Sequence, residues 1–86
     1  MEKILCGEIS KGSVQVIVRD SAYFIRYDAG AHQVVWREDV ISYVEAMEIV
    51  KDQSCVERVL MNLQRRLLDS GVKPYVSNWN PDASNT

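Results

Sequence analysis

SVQVIVRDSAYFIRYDAGAHQVVW, residues 13 to 36, is the stretch whose reading decides the fold. Val14, Val16 and Val18 alternate with Gln15, Ile17 and Arg19, and Tyr23, Ile25 and Tyr27 alternate with Phe24 and Arg26. A period of two marks strands with unlike faces, and β-branched and aromatic residues suit them. Asp20-Ser21 and Ala29-Gly30 are turn signals, so the stretch divides into strands over 13–19, 22–28 and 31–36. Upstream, Lys3 to Ile9 reads as another strand, joined through a hairpin in which Gly12 supplies positive φ.

Two-residue turns at Lys11-Gly12, Asp20-Ser21 and Ala29-Gly30 fix the registers. They set Val16 and Val18 against Gly7 and Leu5 on one side and against Ile25 and Tyr23 on the other; Ile25 then meets Val34, Tyr23 meets Trp36 and Tyr27 meets His32. One apolar face results, built from Val14, Val16, Val18, Tyr23, Ile25, Tyr27, Val34 and Trp36. The same registers draw Cys6, Ile17, Phe24 and Val35 into a row on the opposite face, with Glu8, Gln15, Arg19, Arg26 and Gln33 around it.

After Trp36 the period changes to that of a helix. Arg37 to Lys51 carries Val40, Tyr43, Val44, Met47 and Val50 along one side, with Asp39 as N-cap. Ser54-Cys55-Val56-Glu57 has capping-box spacing and opens a second helix, whose stripe is Cys55, Val56, Val59, Leu60, Leu63 and Leu67 and whose end is Gly71. The short link predicts an antiparallel helix pair. Pro74 makes Val72 to Val76 extended, lying along the sheet edge or across a helix; Trp79 is the last anchor, and 80–86 is a polar tail expected to be disordered. The predicted architecture is α+β over residues 1–79: a four-stranded antiparallel meander followed by two helices packed on its apolar face, ββββαα.

Composition narrows the function. The chain has 86 residues, 47% of them hydrophobic and 26% charged, with a net charge of −2, which suits one small globular domain and offers no broad attraction to phosphate. Two cysteines without metal or C-x-x-C spacing, and no long apolar run, predict a soluble protein of a reducing compartment, the cytoplasm. No cofactor, metal or catalytic motif is legible, and the reading is of a protein that is not an enzyme. His32 is expected to serve a structural hydrogen bond. Glu38, Glu45 and Asp52, and Arg58, Arg65 and Arg66, read as solvated faces or ion pairs between neighbouring helices. Met61 and Leu68 lie off the main stripe of the second helix and need a cover or a partner.

The remaining feature is the outer row. An apolar stripe with a polar rim predicts an interface formed by Cys6, Gln15, Ile17, Arg19, Phe24, Arg26 and Val35. The expected function is a small interaction domain of adaptor, regulator or inhibitor type that binds a protein partner or a second copy of itself, as a homodimer. A nucleic-acid module, with bases stacked on Phe24 and phosphates on Arg19 and Arg26, is the alternative on the same face, weakened by the thin stacking surface. A small thiol enzyme using Cys55 or Cys6 is the third reading; against it, a cysteine on an apolar stripe is usually core.

Overall fold

The computed structural model describes residues 1–9, 13–30 and 32–81. Strands β1 (Glu2–Gly7), β2 (Gln15–Arg19), β3 (Ala22–Asp28) and β4 (Trp36–Ile41) form one sheet in the order β1-β2-β3-β4, every pair antiparallel. Helix α1 (Tyr43–Lys51), a 3-10 turn (Gln53–Cys55) and helix α2 (Val56–Asp69) follow. The α+β architecture is the one read from the sequence. The turn expected at Lys11-Gly12, and residues 82–86 of the tail expected to be disordered, lie outside the described residues.

The central hairpin has the expected register. Asp20 and Ser21 adopt φ of 52° and 69°, and they set Val18 against Tyr23, Ile17 against Phe24 and Val16 against Ile25. Two successive left-handed residues match the twist of the flanking strands, which is why a two-residue connection works here without glycine.

The two outer strands depart from expectation, for different reasons. In β1 the register shifts between Ile4 and Cys6: Ile4 pairs with Ile17, and Cys6 pairs with Val16. The bulge turns both Leu5 and Cys6 toward the core cluster, burying two consecutive apolar residues where strict alternation would bury one. Cys6 therefore leaves the outer row. Between β3 and β4 the connection is a long loop and not the turn Ala29-Gly30. The Asp28 carboxylate accepts hydrogen bonds from the Gly30 and Val35 amides, each at 2.9 Å, and the Ala29 amide donates to the Val35 carbonyl at 2.8 Å. A Cβ on Gly30 would lie 1.7 Å from the Gln33 carbonyl oxygen, so the loop closes on glycine.

The loop delays β4 until Trp36, so Tyr23 pairs with Ile41, Ile25 with Asp39 and Tyr27 with Arg37, in place of Trp36, Val34 and His32. Val34, Val35 and His32 belong to the loop. Trp36 lies on the outer face with Glu38 and Val40, since side chains alternate along the strand.

A second consequence is a shorter first helix. Asp39 is a strand residue, and Ser42 is the N-cap: its hydroxyl accepts from the Glu45 amide and the Glu45 carboxylate accepts from the Ser42 amide, both at 3.0 Å. The box expected at Ser54 does not form. Ser54 instead donates its amide and its hydroxyl to the Asp52 carboxylate, and Cys55 caps α2 without a side-chain bond. Ala46 and Ile49 bury α1 against the sheet, Met47 of the expected stripe packs beside them, and Val44 and Val50 are exposed, while Tyr43, also exposed, meets the Tyr23 ring edge-on at 5.5 Å. Val59 and Leu63 bury α2, flanked by Val56, Leu60 and Leu67 as expected. Gly71 ends α2 at φ 81°. Met61 and Leu68 are exposed.

The core is Val16, Ile25, Tyr27, Ile41, Ala46, Ile49, Val59 and Leu63. One polar group sits within it. Tyr27 donates to Asp39 at 2.7 Å, and Arg37 forks onto both oxygens of the same carboxylate at 2.8 and 2.9 Å. Among the described residues no buried side-chain polar atom lacks a partner.

Candidate interaction surface

The face of the sheet away from the helices carries the even-numbered side chains of β3 and β4 and the odd-numbered ones of β2. Five of the seven residues expected at an interface share it: Gln15, Ile17, Arg19, Phe24 and Arg26. Cys6 faces the core and Val35 the loop, so neither joins them. Their places at the two ends of the apolar row are taken by Ile4 and Val40, which pair with Ile17 and Phe24. Exposure along the row runs from 55% at Ile4 to 0% at Ile17 and back to 60% at Val40. The middle of the face is covered by the chain itself.

The cover is a charged network with one member from each strand. Arg26 donates to Glu2 at 2.7 Å, to Glu38 at 2.8 Å and to Gln15 at 3.0 Å. Arg19 donates to Glu38 at 2.6 Å and to Glu2 at 3.2 Å, and its guanidinium lies 4.4 Å from the centre of the Phe24 ring. Two cations and two anions cancel. Each guanidinium also rests on an aromatic face, which suits a planar, weakly hydrated cation. Burial pushes the Glu38 carboxyl up, but the hydrogen bonds from Arg19 and Arg26 outweigh it and hold the group below its ordinary value.

The C-terminal segment completes this surface. Asn78 lies along the β4 edge, where its side-chain amide accepts from the Glu38 amide at 2.8 Å and donates to the Glu38 carbonyl at 3.0 Å. The Asn78 backbone amide donates to the Trp36 carbonyl at 3.3 Å, and the Ser77 hydroxyl donates to it at 3.0 Å. From the core side, Arg37 holds the Lys73 and Val76 carbonyls. Trp79 then crosses onto the outer face, edge-on to Trp36 at 6.4 Å and stacked 4.6 Å from the Arg26 guanidinium. Residues 72–76, expected to be extended, turn instead, with the Val76 amide donating to the Lys73 carbonyl at 3.2 Å, and the chain bonds the sheet edge from Ser77 onward.

Glu2, Ile4, Glu38, Val40 and Trp79 were missed as members of this surface. Their signal was parity: once β4 starts at Trp36, the even positions Glu38 and Val40 must lie beside Arg26 and Phe24. Two further carboxylates, both on α1, pair with α2. Glu45 accepts from Arg66 at 2.9 and 3.0 Å, and Glu48 pairs with Arg58. His32 is exposed in the loop. Burial pushes the Cys6 thiol up despite a hydrogen bond with the Val16 backbone, which disfavours a thiolate.

A cleft of about 500 Å³ lies between the β1–β2 end and the start of α2, lined by Gly7, Glu8, Ser13, Val14, Gln53 and Val56. Among the described residues its lining has one carboxylate, Glu8. Among the described residues no three His, Cys, Asp or Glu side chains are placed to hold a metal ion, and no helix is long and apolar enough to cross a membrane. Comparison of the chain with family models, curated proteins and solved structures finds no match.

Proposed function

We propose that this protein is a non-catalytic interaction domain that meets a protein partner, a second copy of itself in the simplest case, through the outer face of its sheet. The observation that carries the reading is the pairing of a self-neutralised Arg–Glu network with an apolar row exposed at both ends, Ile4 and Val40. A partner that covers this face gains apolar contact without having to strip water from an unpaired charge. Two-fold symmetry can match such a row to itself, and the cytoplasm is the compartment that suits the two free thiols.

The same network weighs against nucleic acid. Arg19 and Arg26 are already bound to carboxylates, so phosphate would have to displace Glu2 and Glu38 from both. Sedimentation velocity of the wild type, Ile4→Lys and Phe24→Glu tests the proposal. The expected outcome is a concentration-dependent dimer that both variants weaken by about tenfold or more. A dimer equally strong in both variants would remove the outer face as the contact.

A further inference from the structure

The β4 edge has a property that its own chain conceals. Because the Glu38 amide and carbonyl point outward to Asn78, those of Trp36 and Val40, two residues away on either side, point outward too. Asn78 and Ser77 occupy Trp36 and Glu38, while among the described residues nothing bonds the Val40 backbone on that side. The opposite edge is guarded differently, by the bulge in β1 and by Lys3. On β4 the outward groups are instead covered by residues 77 and 78, through the Ser77 hydroxyl, the Asn78 backbone amide and the Asn78 side chain.

The sequence of this edge is complementary to itself. Turned antiparallel about Glu38, Val35-Trp36-Arg37-Glu38-Asp39-Val40-Ile41 sets Trp36 against Val40, Arg37 against Asp39 and Val35 against Ile41 of a second copy. On the inner face each Arg37 meets an Asp39, and on the outer face each indole meets a valine. The one like pair is Glu38 with Glu38, and each of those carboxylates is already held by Arg19 at 2.6 Å and Arg26 at 2.8 Å. The backbone fits the same axis: Glu38 with Glu38, Trp36 with Val40 and Val40 with Trp36 are all outward-facing pairs, each able to exchange two hydrogen bonds.

We propose that the β4 edge is a dimerisation site for a second copy of this chain, joining two four-stranded sheets into one of eight, and that residues 77–79 are a strap that blocks it. The strap mimics what it excludes. The Asn78 amide supplies one donor and one acceptor to Glu38, as an opposing strand would, and Trp79 takes the place beside Trp36 that Val40 of the second copy would fill. Dimerisation requires the strap to lift, so the closed monomer and the paired dimer are two states of one switch. This contact shares Val40 with the outer-face reading but leaves Ile4 and Phe24 uncovered, so variants at those two positions separate the surfaces.

The test compares full-length wild type, Asn78→Ala/Trp79→Ala and Asn78→Asp by sedimentation velocity, with amide hydrogen exchange at Trp36 and Val40. Asn78→Asp keeps the acceptor for the Glu38 amide and loses the donor to the Glu38 carbonyl and to the Asp39 carboxylate, so it loosens the strap with Trp79 retained, even if the double variant folds poorly. The expected result is dimerisation at a concentration lower by about tenfold or more in the strap variants, with Trp36 and Val40 amides slowing as protein concentration rises. Adding Val40→Pro, tolerated because that amide points away from β3, should remove the gain in dimerisation, and adding Phe24→Glu should leave that gain. Strap variants no more dimeric than wild type would overturn the proposal. So would a dimer that survives Val40→Pro but is lost in Phe24→Glu, an outcome that leaves the outer-face reading standing.

Discussion

Tyr27 shows how much one hydroxyl can commit a small protein to. Its ring belongs to the core, yet its oxygen donates to Asp39, whose carboxylate also takes both arms of Arg37. Burial and the hydrogen bond to Asp39 together push the phenol well above its ordinary value. Such a raised value stabilises the fold at pH below the ordinary tyrosine range near ~10, and that contribution drains away as pH climbs from there toward the folded value. Tyr27→Phe should cost about 1–2 kcal/mol at neutral pH, since Asp39 keeps Arg37 but loses a buried partner. The difference between the two proteins in urea denaturation should shrink as pH rises above ~10. A constant difference across that range would show that the hydroxyl does not matter through its ionisation.

Among the elements, α1 shows where local signals compete. Ser42-Tyr43-Val44-Glu45 and Ser54-Cys55-Val56-Glu57 have the same capping-box spacing, and only the first forms. Asp52 decides the second case: its carboxylate takes the Ser54 amide and hydroxyl into a 3-10 turn before the helix can begin. Ser42→Ala should therefore destabilise the protein by about 1 kcal/mol, and Ser54→Ala by clearly less. Equal losses in thermal denaturation would contradict this account. The helix and strand types, the β2–β3 register and the end of α2 at Gly71 were legible because each rests on neighbours in sequence. What was not legible rests on choices between equally local options. Ala29-Gly30 looks like a hairpin turn, but Asp28 can instead gather the Gly30 and Val35 amides, and nothing within the loop says which wins until Arg37 and Asp39 meet Tyr27. The β1 bulge was hidden likewise, since strict alternation and a paired Leu5-Cys6 are both readable from the same residues.

At the scale of the whole molecule, charge pairing ties distant parts of the chain. Glu38 joins β4 to β2 and β3 through Arg19 and Arg26, and Glu45 joins α1 to α2 through Arg66. For both carboxyls burial acts upward and is outweighed, by Arg19 and Arg26 for Glu38 and by Arg66 and the Ser42 backbone for Glu45, so both lie below their ordinary values. Depressed carboxylates stabilise the fold above the unfolded value of about 4.3, and this stability is lost as pH falls through the folded values. The urea midpoint should hold from neutral pH to about 5 and then drop. Glu38→Gln should lower stability at neutral pH by roughly 1–3 kcal/mol and flatten the acid drop. An unchanged acid limb in that variant would assign the acid loss to other groups. Of the candidate surface, the centre was legible from β2 and β3. Its two ends were not, because Ile4 and Val40 reach it only through the bulge and the long loop.

The partner that seals β4 is made late. Asn78 lies 40 residues beyond Glu38, so the contact that covers β4 closes a loop running through both helices. Closing a loop of that length costs more conformational entropy than joining neighbouring strands, so β4 is expected to pair with β3 before its outer edge is covered. The order, strand first and cover last, follows from how far apart the two lie along the chain.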